Sequence, residues 1–137
     1  MMKIVLDTNC LLVALPQNSH YRCLWDAFLQ RKFVLCYSSE MLKEYEELLL
    51  RFYSAHFTSL AFEALLKSPN VIQTIPYYKW NLIAADPDDN KFVDCALNAD
   101  ADYIVTNDKH FNVLKEIDFP NINVVDINTF KKIISIF

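Results

Sequence analysis

Short, nearly continuous apolar runs alternate along this chain with segments of helical periodicity, and that alternation restricts the fold more than any other feature. Lys3-Ile-Val-Leu-Asp7 reads as a buried strand ending in an acid, and Phe33 to Tyr37 (FVLCY) as a second strand. Val71 to Ile75 is a further short strand, Asp102 to Thr106 (DYIVT) another, and Val124 to Ile127 the last. Between them, Thr8 and Asn9 cap an apolar helical segment that stops near Pro16. From Ser19, residues His20, Cys23, Leu24, Ala27 and Phe28 keep helical spacing. Ser38-Ser39 opens a long helix to about Phe52, followed by one from Thr58 to Lys67. Residues 76–88 read as a loop, and Asp88 or Asp89 caps a helix through about Leu97, with Asn98 as a left-handed terminator. Asp108 to Ile117 and Asn128 to Ser135 are the last two predicted helices. Strands joined through helices require crossover connections. The expectation is therefore a three-layer α/β fold: a mainly parallel sheet of four to five strands flanked by helices, with residues 1–137 as one domain.

Composition removes several classes of chemistry. The 137 residues contain no glycine. A P-loop, a dinucleotide G-x-G-x-x-G turn and a G-x-S-x-G nucleophile elbow are thereby excluded. Hydrophobic residues at 53% can fill a core and argue against disorder. A net charge of -4 lacks the basic footprint of a whole-chain nucleic-acid binder, yet an acidic protein can act on nucleic acid through bound metal. The start, MMKIVLDTN, lacks a signal-peptide layout, and no apolar run has transmembrane length. Cys10, Cys23, Cys36 and Cys95 form no C-x-x-C pair and sit in apolar runs, which suits small buried residues in a reducing cytoplasm.

In open parallel sheets, chemistry collects beyond the carboxyl ends of the strands. Asp7 ends the first strand, and Asp108 lies two residues beyond DYIVT, so both project at one sheet edge. Each could instead cap the helix that follows. At about 100° per residue, Asp89 shares a helix face with Phe92, Val93 and Ala96, whereas Asp94 falls on the opposite face, toward solvent. Asp86 and Asp88 are loop acids able to assist. In the long helix, Glu44 borders the apolar stripe of Met41, Tyr45, Leu48 and Phe52, and Glu46 and Glu47 belong to a solvated face. Clustered carboxylates repel one another unless a cation sits among them. Hard divalent ions take oxygen ligands and stabilise phosphodiester displacement. Metal-assisted phosphoryl chemistry is the most economical use of these acids.

The segments LDTNCLLVAL, SSEMLKEYEELL around Glu44, DPDDNKFVDCAL and DYIVTND resemble, in that order, the successive motifs of PIN-domain ribonucleases. The resemblance spans Ile4 to about Ile127, and the DPDD-x-KF and DYIVTND blocks are most similar to the toxins of toxin–antitoxin pairs of the VapC type. It implies a parallel sheet flanked by helices, and acids that coordinate Mg²⁺ or Mn²⁺ for hydrolysis of single-stranded RNA. Asp7, Glu44, Asp89 and Asp108 match the family's four catalytic, metal-binding acids. Asn9 and Thr106 match its supporting polar residues, and Asp94 stands where relatives often carry a further acid. Such a toxin implies a cognate antitoxin, a possible homodimer and no membrane association. Where relatives commonly have glycine, this chain has Asn98, Ala99 and Asn107, which bears on turn geometry and removes no ligand.

Other residues near the motifs have plainer readings. Lys91 and Lys109 suit either phosphate contact or ordinary surface charge, and His110 reads as a packing or surface residue before a general base. His20 reads as a core or partner-facing residue. Trp25, Trp80 and the Tyr77-Tyr78 pair read as core or interface, with base stacking as the alternative. A receiver or haloacid-dehalogenase-like phosphoryl-transfer domain also has an aspartate after its first strand, but Asn9 stands where the latter needs a second acid. A catalytically silent PIN-fold module is the third reading.

Overall fold

The computed structural model describes residues 1–136. Five strands form one sheet: β1 (Lys3–Leu6), β2 (Val34–Ser38), β3 (Val71–Thr74), β4 (Tyr103–Val105) and β5 (Val124–Val125). Their spatial order is β3-β2-β1-β4-β5, and every pairing is parallel. The chain builds outward from β1 through β2 and β3, then returns to the other side of β1 for β4 and β5. The strand order thus reverses between β1 and β4, where open sheets leave a crevice beyond the strand ends.

Helices α1 (Thr8–Ala14) and α2 (Arg22–Leu29) connect β1 to β2, and α3 (Ser39–Phe52) and α4 (Ala55–Lys67) connect β2 to β3. Helix α5 (Asn90–Ala99) follows a 3-10 turn at Pro87–Asp89 and lies over β1 to β4. Helix α6 (Ile127–Ile134) packs on α2. The three-layer α/β architecture expected from the alternation is the one observed. No described helix is long and apolar enough to cross a membrane.

The strands read as continuous apolar runs because both sheet faces are covered. Ile4, Val5, Leu35, Cys36, Ile104 and Val105 have no exposed surface. Phe28, Phe33 and Phe130 stack in sequence on one side, while Phe92 and Phe111 pair under α5. Ser38 and Ser54 cap α3 and α4 by accepting from Met41 N and Phe57 N. The Ser54 cap starts α4 one turn earlier than the apolar pattern suggests.

Two expectations need correction. Residues Lys109–Glu116 form a 3-10 segment, not an α-helix, although Phe111 and Leu114 are buried as a helical stripe would require. The left-handed terminator of α5 is Asp100 (φ 54°), two residues beyond Asn98. There Ala101 N reaches Ala96 O and Asp100 N reaches Leu97 O, closing a Schellman motif. Arg31 (φ 61°) ends α2 in the same way, with Lys32 N to Ala27 O and Arg31 N to Phe28 O. Asp tolerates this backbone better than a long side chain does. Arg31→Gly should therefore stabilise the protein by about 1 kcal/mol and raise the melting temperature by about 4 °C, read by thermal unfolding with Asp100→Gly alongside.

Candidate active site

The register of β1 against β4 builds the site. Leu6 pairs with Val105, so the next residues, Asp7 and Thr106, emerge side by side at the carboxyl edge of the sheet. Thr106 Oγ1 donates to Asp7 Oδ2 at 2.7 Å and accepts from Asp108 N at 3.0 Å. One hydroxyl thus ties both strand ends and sets Asp108 facing the same crevice. The end of β1 is also held from α3, where the buried Tyr45 hydroxyl donates to Leu6 O at 2.6 Å.

Asp7 starts α1 without using its side chain as a cap; its backbone carbonyl accepts from Cys10 N and Leu11 N instead. The capping alternative therefore fails for Asp7. It holds in part for Asp108, whose Oδ1 accepts from His110 N at 2.9 Å. Burial raises the Asp7 pKa, the Thr106 hydroxyl opposes that, and the charges of Asp108 and Glu44 raise it further.

Asp89 precedes α5, is only 8% exposed, and makes no side-chain cap. Its Oδ2 is buried without a hydrogen-bond partner. Burial, then the charges of Asp108 and Asp86, push its pKa up to about 7. Asp86 lies next to it and accepts from Asp88 N at 3.2 Å. His110 Nδ1 stands 3.5 Å from Asp89 Oδ2 and 3.4 Å from Asp108 Oδ1. One ligand atom from each of Asp86, Asp89, Asp108 and His110 falls within 4.8 Å of all the others.

Glu44 stands across the crevice on the second turn of α3. Thr8 Oγ1 donates to its Oε2, and Lys91 Nζ lies 3.0 Å from Oε1. Lys91 also donates to Asp88 O and sits 5.2 Å over the Phe92 ring, so it is fixed rather than a free surface charge. Asn9 is exposed on the first turn of α1.

Asp94 corrects the helical-wheel expectation. It is buried, and its Oδ1 accepts from Trp80 N at 3.1 Å. Residues 75–86 fold across the outside of α5 and cover the face that the wheel assigns to solvent. Burial raises the Asp94 pKa, with the Trp80 amide opposing it. Trp25 is core, whereas Tyr77 and Tyr78 are exposed and Trp80 packs edge-on against Tyr78 and Phe119. His20 is exposed, with Lys131 Nζ 3.2 Å from its Nε2. Cys10, Cys36 and Cys95 are buried thiols, pushed by burial up to about 12, 11 and 12.

The structure thus gathers Asp7, Asp89 and Asp108, with Glu44 near enough to raise the Asp7 pKa. Repelling carboxylates around an orphaned, buried carboxylate oxygen form a donor set that fits a hard divalent cation.

The sequence profile of the PIN domain matches residues 3–110, so the chain belongs to the PIN domain family. No curated protein matches it. Among solved structures, it is similar to VapBC2 from Rickettsia felis bound to a promoter DNA fragment (18% identity, 91% of this chain and 98% of that chain, TM-score 0.64). It is also similar to DNA-bound VapBC from Salmonella typhimurium (21%, 93% and 99%, TM-score 0.61). A third is FitAcB from Neisseria gonorrhoeae (15%, 90% and 97%, TM-score 0.55). At these identities the likeness is one of fold. The family match sets aside the receiver and dehalogenase-like readings.

The raised pKa of Asp89 makes stability depend on pH. The folded, metal-free protein holds that proton more tightly than the unfolded chain, whose carboxyl titrates near 3.8. The contribution is complete below about pH 4 and is lost as pH rises through about 7. Asp7 and Asp94, also raised, act in the same direction. In EDTA, Asp89→Asn should melt several degrees above wild type at about pH 8 and close to it at about pH 4. Equal pH slopes for the two proteins would show that Asp89 carries no such strain.

Proposed function

We propose that this PIN domain is a metal-dependent endoribonuclease acting on single-stranded RNA, and the toxin of a toxin–antitoxin pair. The observation that carries the reading is the group of Asp7, Asp89 and Asp108 at the switch point of the sheet, with Glu44 facing them and the Asp89 Oδ2 atom left unpartnered. Asp7, Glu44, Asp89 and Asp108 would hold one or two Mg²⁺ or Mn²⁺ ions. When bound, such an ion supplies activation of water and neutralisation of charge on the scissile phosphodiester.

The protein's own residues do the rest. Thr106 fixes the Asp7 carboxylate and the Asp108 backbone at once, so the two acids keep their spacing. Thr8 and Lys91 hold Glu44. Lys91, paired with Glu44, is a cation at the site that can meet an RNA phosphate. Asn9, exposed beside Asp7, can hydrogen-bond a phosphate oxygen or a water at the edge of the site. The family resemblance implies that cleavage leaves a 3′-hydroxyl and a 5′-phosphate.

The resemblance of the motifs to VapC-type toxins supports an antitoxin partner, as does the likeness in fold to VapBC and FitAcB. Exposed Phe52, Leu50, Leu60 and Leu66 on α3 and α4 offer apolar area for a partner or a second copy. RNA as substrate and free thiols fit a cytoplasmic protein.

Labelled single-stranded RNA incubated with Mg²⁺, Mn²⁺ or EDTA tests the reading. Cutting should require the ion and fall at least about a hundredfold in Asp7→Asn, whose fold is retained. Thr106→Val should lose about ten- to a hundredfold, because it releases Asp7 without removing a ligand. Full activity of Asp7→Asn would overturn the assignment.

A further inference from the structure

We propose that His110 and Asp86 join Asp89 and Asp108 as direct ligands of a divalent transition ion, making one end of the centre a nitrogen-containing site that favours Mn²⁺ over Mg²⁺. The inference rests on the metal-dependent reading above and extends it to residues outside the four acids.

Three observations converge. First, His110 Nδ1 lies between two carboxylate oxygens at 3.5 Å and 3.4 Å, longer than a good N–H···O hydrogen bond. Two ligand atoms held about 2.1 Å from one ion lie about 3.0 Å apart at a right angle and about 4.2 Å apart when opposed. Both observed separations fall inside that range. Second, the oxygen that Nδ1 faces is Asp89 Oδ2, the atom that is buried and lacks a hydrogen-bond partner. A buried carboxylate oxygen aimed at an imidazole nitrogen and at two further carboxylates is an unfilled ligand position. Third, the group separates from the opposite end of the crevice. Asp7 Oδ2 is engaged by Thr106 and Glu44 by Thr8 and Lys91, all from distant segments, whereas Asp86 and Asp108 accept from local amides, Asp89 Oδ2 has no partner, and ligand atoms of Asp86, Asp89, Asp108 and His110 lie within 4.8 Å of one another.

Local chain geometry produces this convergence. The Asp108 cap accepts from His110 N, which turns the histidine back over its own N-terminal acid. The 3-10 turn at Pro87–Asp89 is closed by Asp89 N to Asp86 O at 3.0 Å, which brings Asp86 beside Asp89. The imidazole remains partly open, with 46% of its side chain exposed, so an ion can enter from solvent. Oxygen-only sites suit Mg²⁺, whereas imidazole nitrogen suits transition ions. Three carboxylates and one imidazole therefore favour Mn²⁺, a transition ion that also accepts oxygen ligands, over Mg²⁺.

The test uses Mn²⁺ as the probe on the full chain. Pulsed electron paramagnetic resonance of the bound ion should show nitrogen modulation from a coordinated imidazole, and His110→Gln should abolish it. Calorimetric titration should find Mn²⁺ affinity lowered about tenfold in His110→Gln and Mg²⁺ affinity little changed. Asp86→Asn should weaken both ions. Bound Mn²⁺ without nitrogen modulation, or modulation that persists in His110→Gln, overturns the assignment of His110 while leaving an all-carboxylate centre intact. Failure of wild type to bind Mn²⁺ or Mg²⁺ overturns this site and the metal-dependent reading together.

Discussion

Mutual repulsion among carboxylates at the carboxyl edge of the sheet is the constraint around which this molecule is arranged. The charge of Asp108 raises the proton affinity of both Asp7 and Asp89, and Glu44 adds to the effect on Asp7. Such a group opposes folding unless the surrounding structure holds it together. The hold comes from places that cannot easily yield: the fully buried central strand, the Tyr45 hydroxyl on its last carbonyl, and the Thr106 hydroxyl between two acids. The same arrangement explains why the site sits at the reversal of strand order. Only there do two adjacent parallel strands end with their following loops diverging, leaving a crevice.

The layer structure was legible in the sequence because burial on both faces writes a strand as a continuous apolar run. The runs KIVLD, FVLCY and DYIVT become β1, β2 and β4, with each end within one residue of the reading. The acids at strand ends were legible for the same reason, since a charge closing an apolar run has few places to go except the sheet edge. Pairing register was not legible. Nothing local in DYIVT says that Thr106 comes to rest beside Asp7, ninety-nine residues away in the chain. Thr8 was visible as a helix start, but not as the donor to Glu44. His110 looked like a surface residue and is half exposed; its direction follows from the Asp108 cap, a contact of two residues' reach that its own exposure conceals.

The absence of glycine bears on turns rather than on chemistry. Left-handed positions fall to Arg31, Asn81 and Asp100, and two of these close Schellman motifs that glycine would close with less strain. Asn98 was a reasonable terminator on residue type. Helix α5 runs past it because Ala99 still packs inward, so the chain reverses only at Asp100. The segment after β4 is a 3-10 segment and not an α-helix. It still holds Phe111 against Phe92 and buries Leu114.

Residues 75–86 show how a segment without regular structure becomes part of the site. Asp94 and Asn90, one helical turn apart on α5, each bind its backbone: Asp94 accepts from Trp80 N, while Asn90 accepts from Ile83 N and donates to Ile83 O. These buried side chains satisfy backbone groups that a covering loop would otherwise leave unpaired. They also hold the segment that leads to Asp86, the cap of the 3-10 turn ending at Asp89. Asp94 thus holds the covering segment at Trp80, six positions before Asp86. A carboxylate at this point of the motif need not be a ligand: here its burial, its amide donor and its distance along the helix from Asp89 give it structural work that the sequence pattern alone does not distinguish from catalysis.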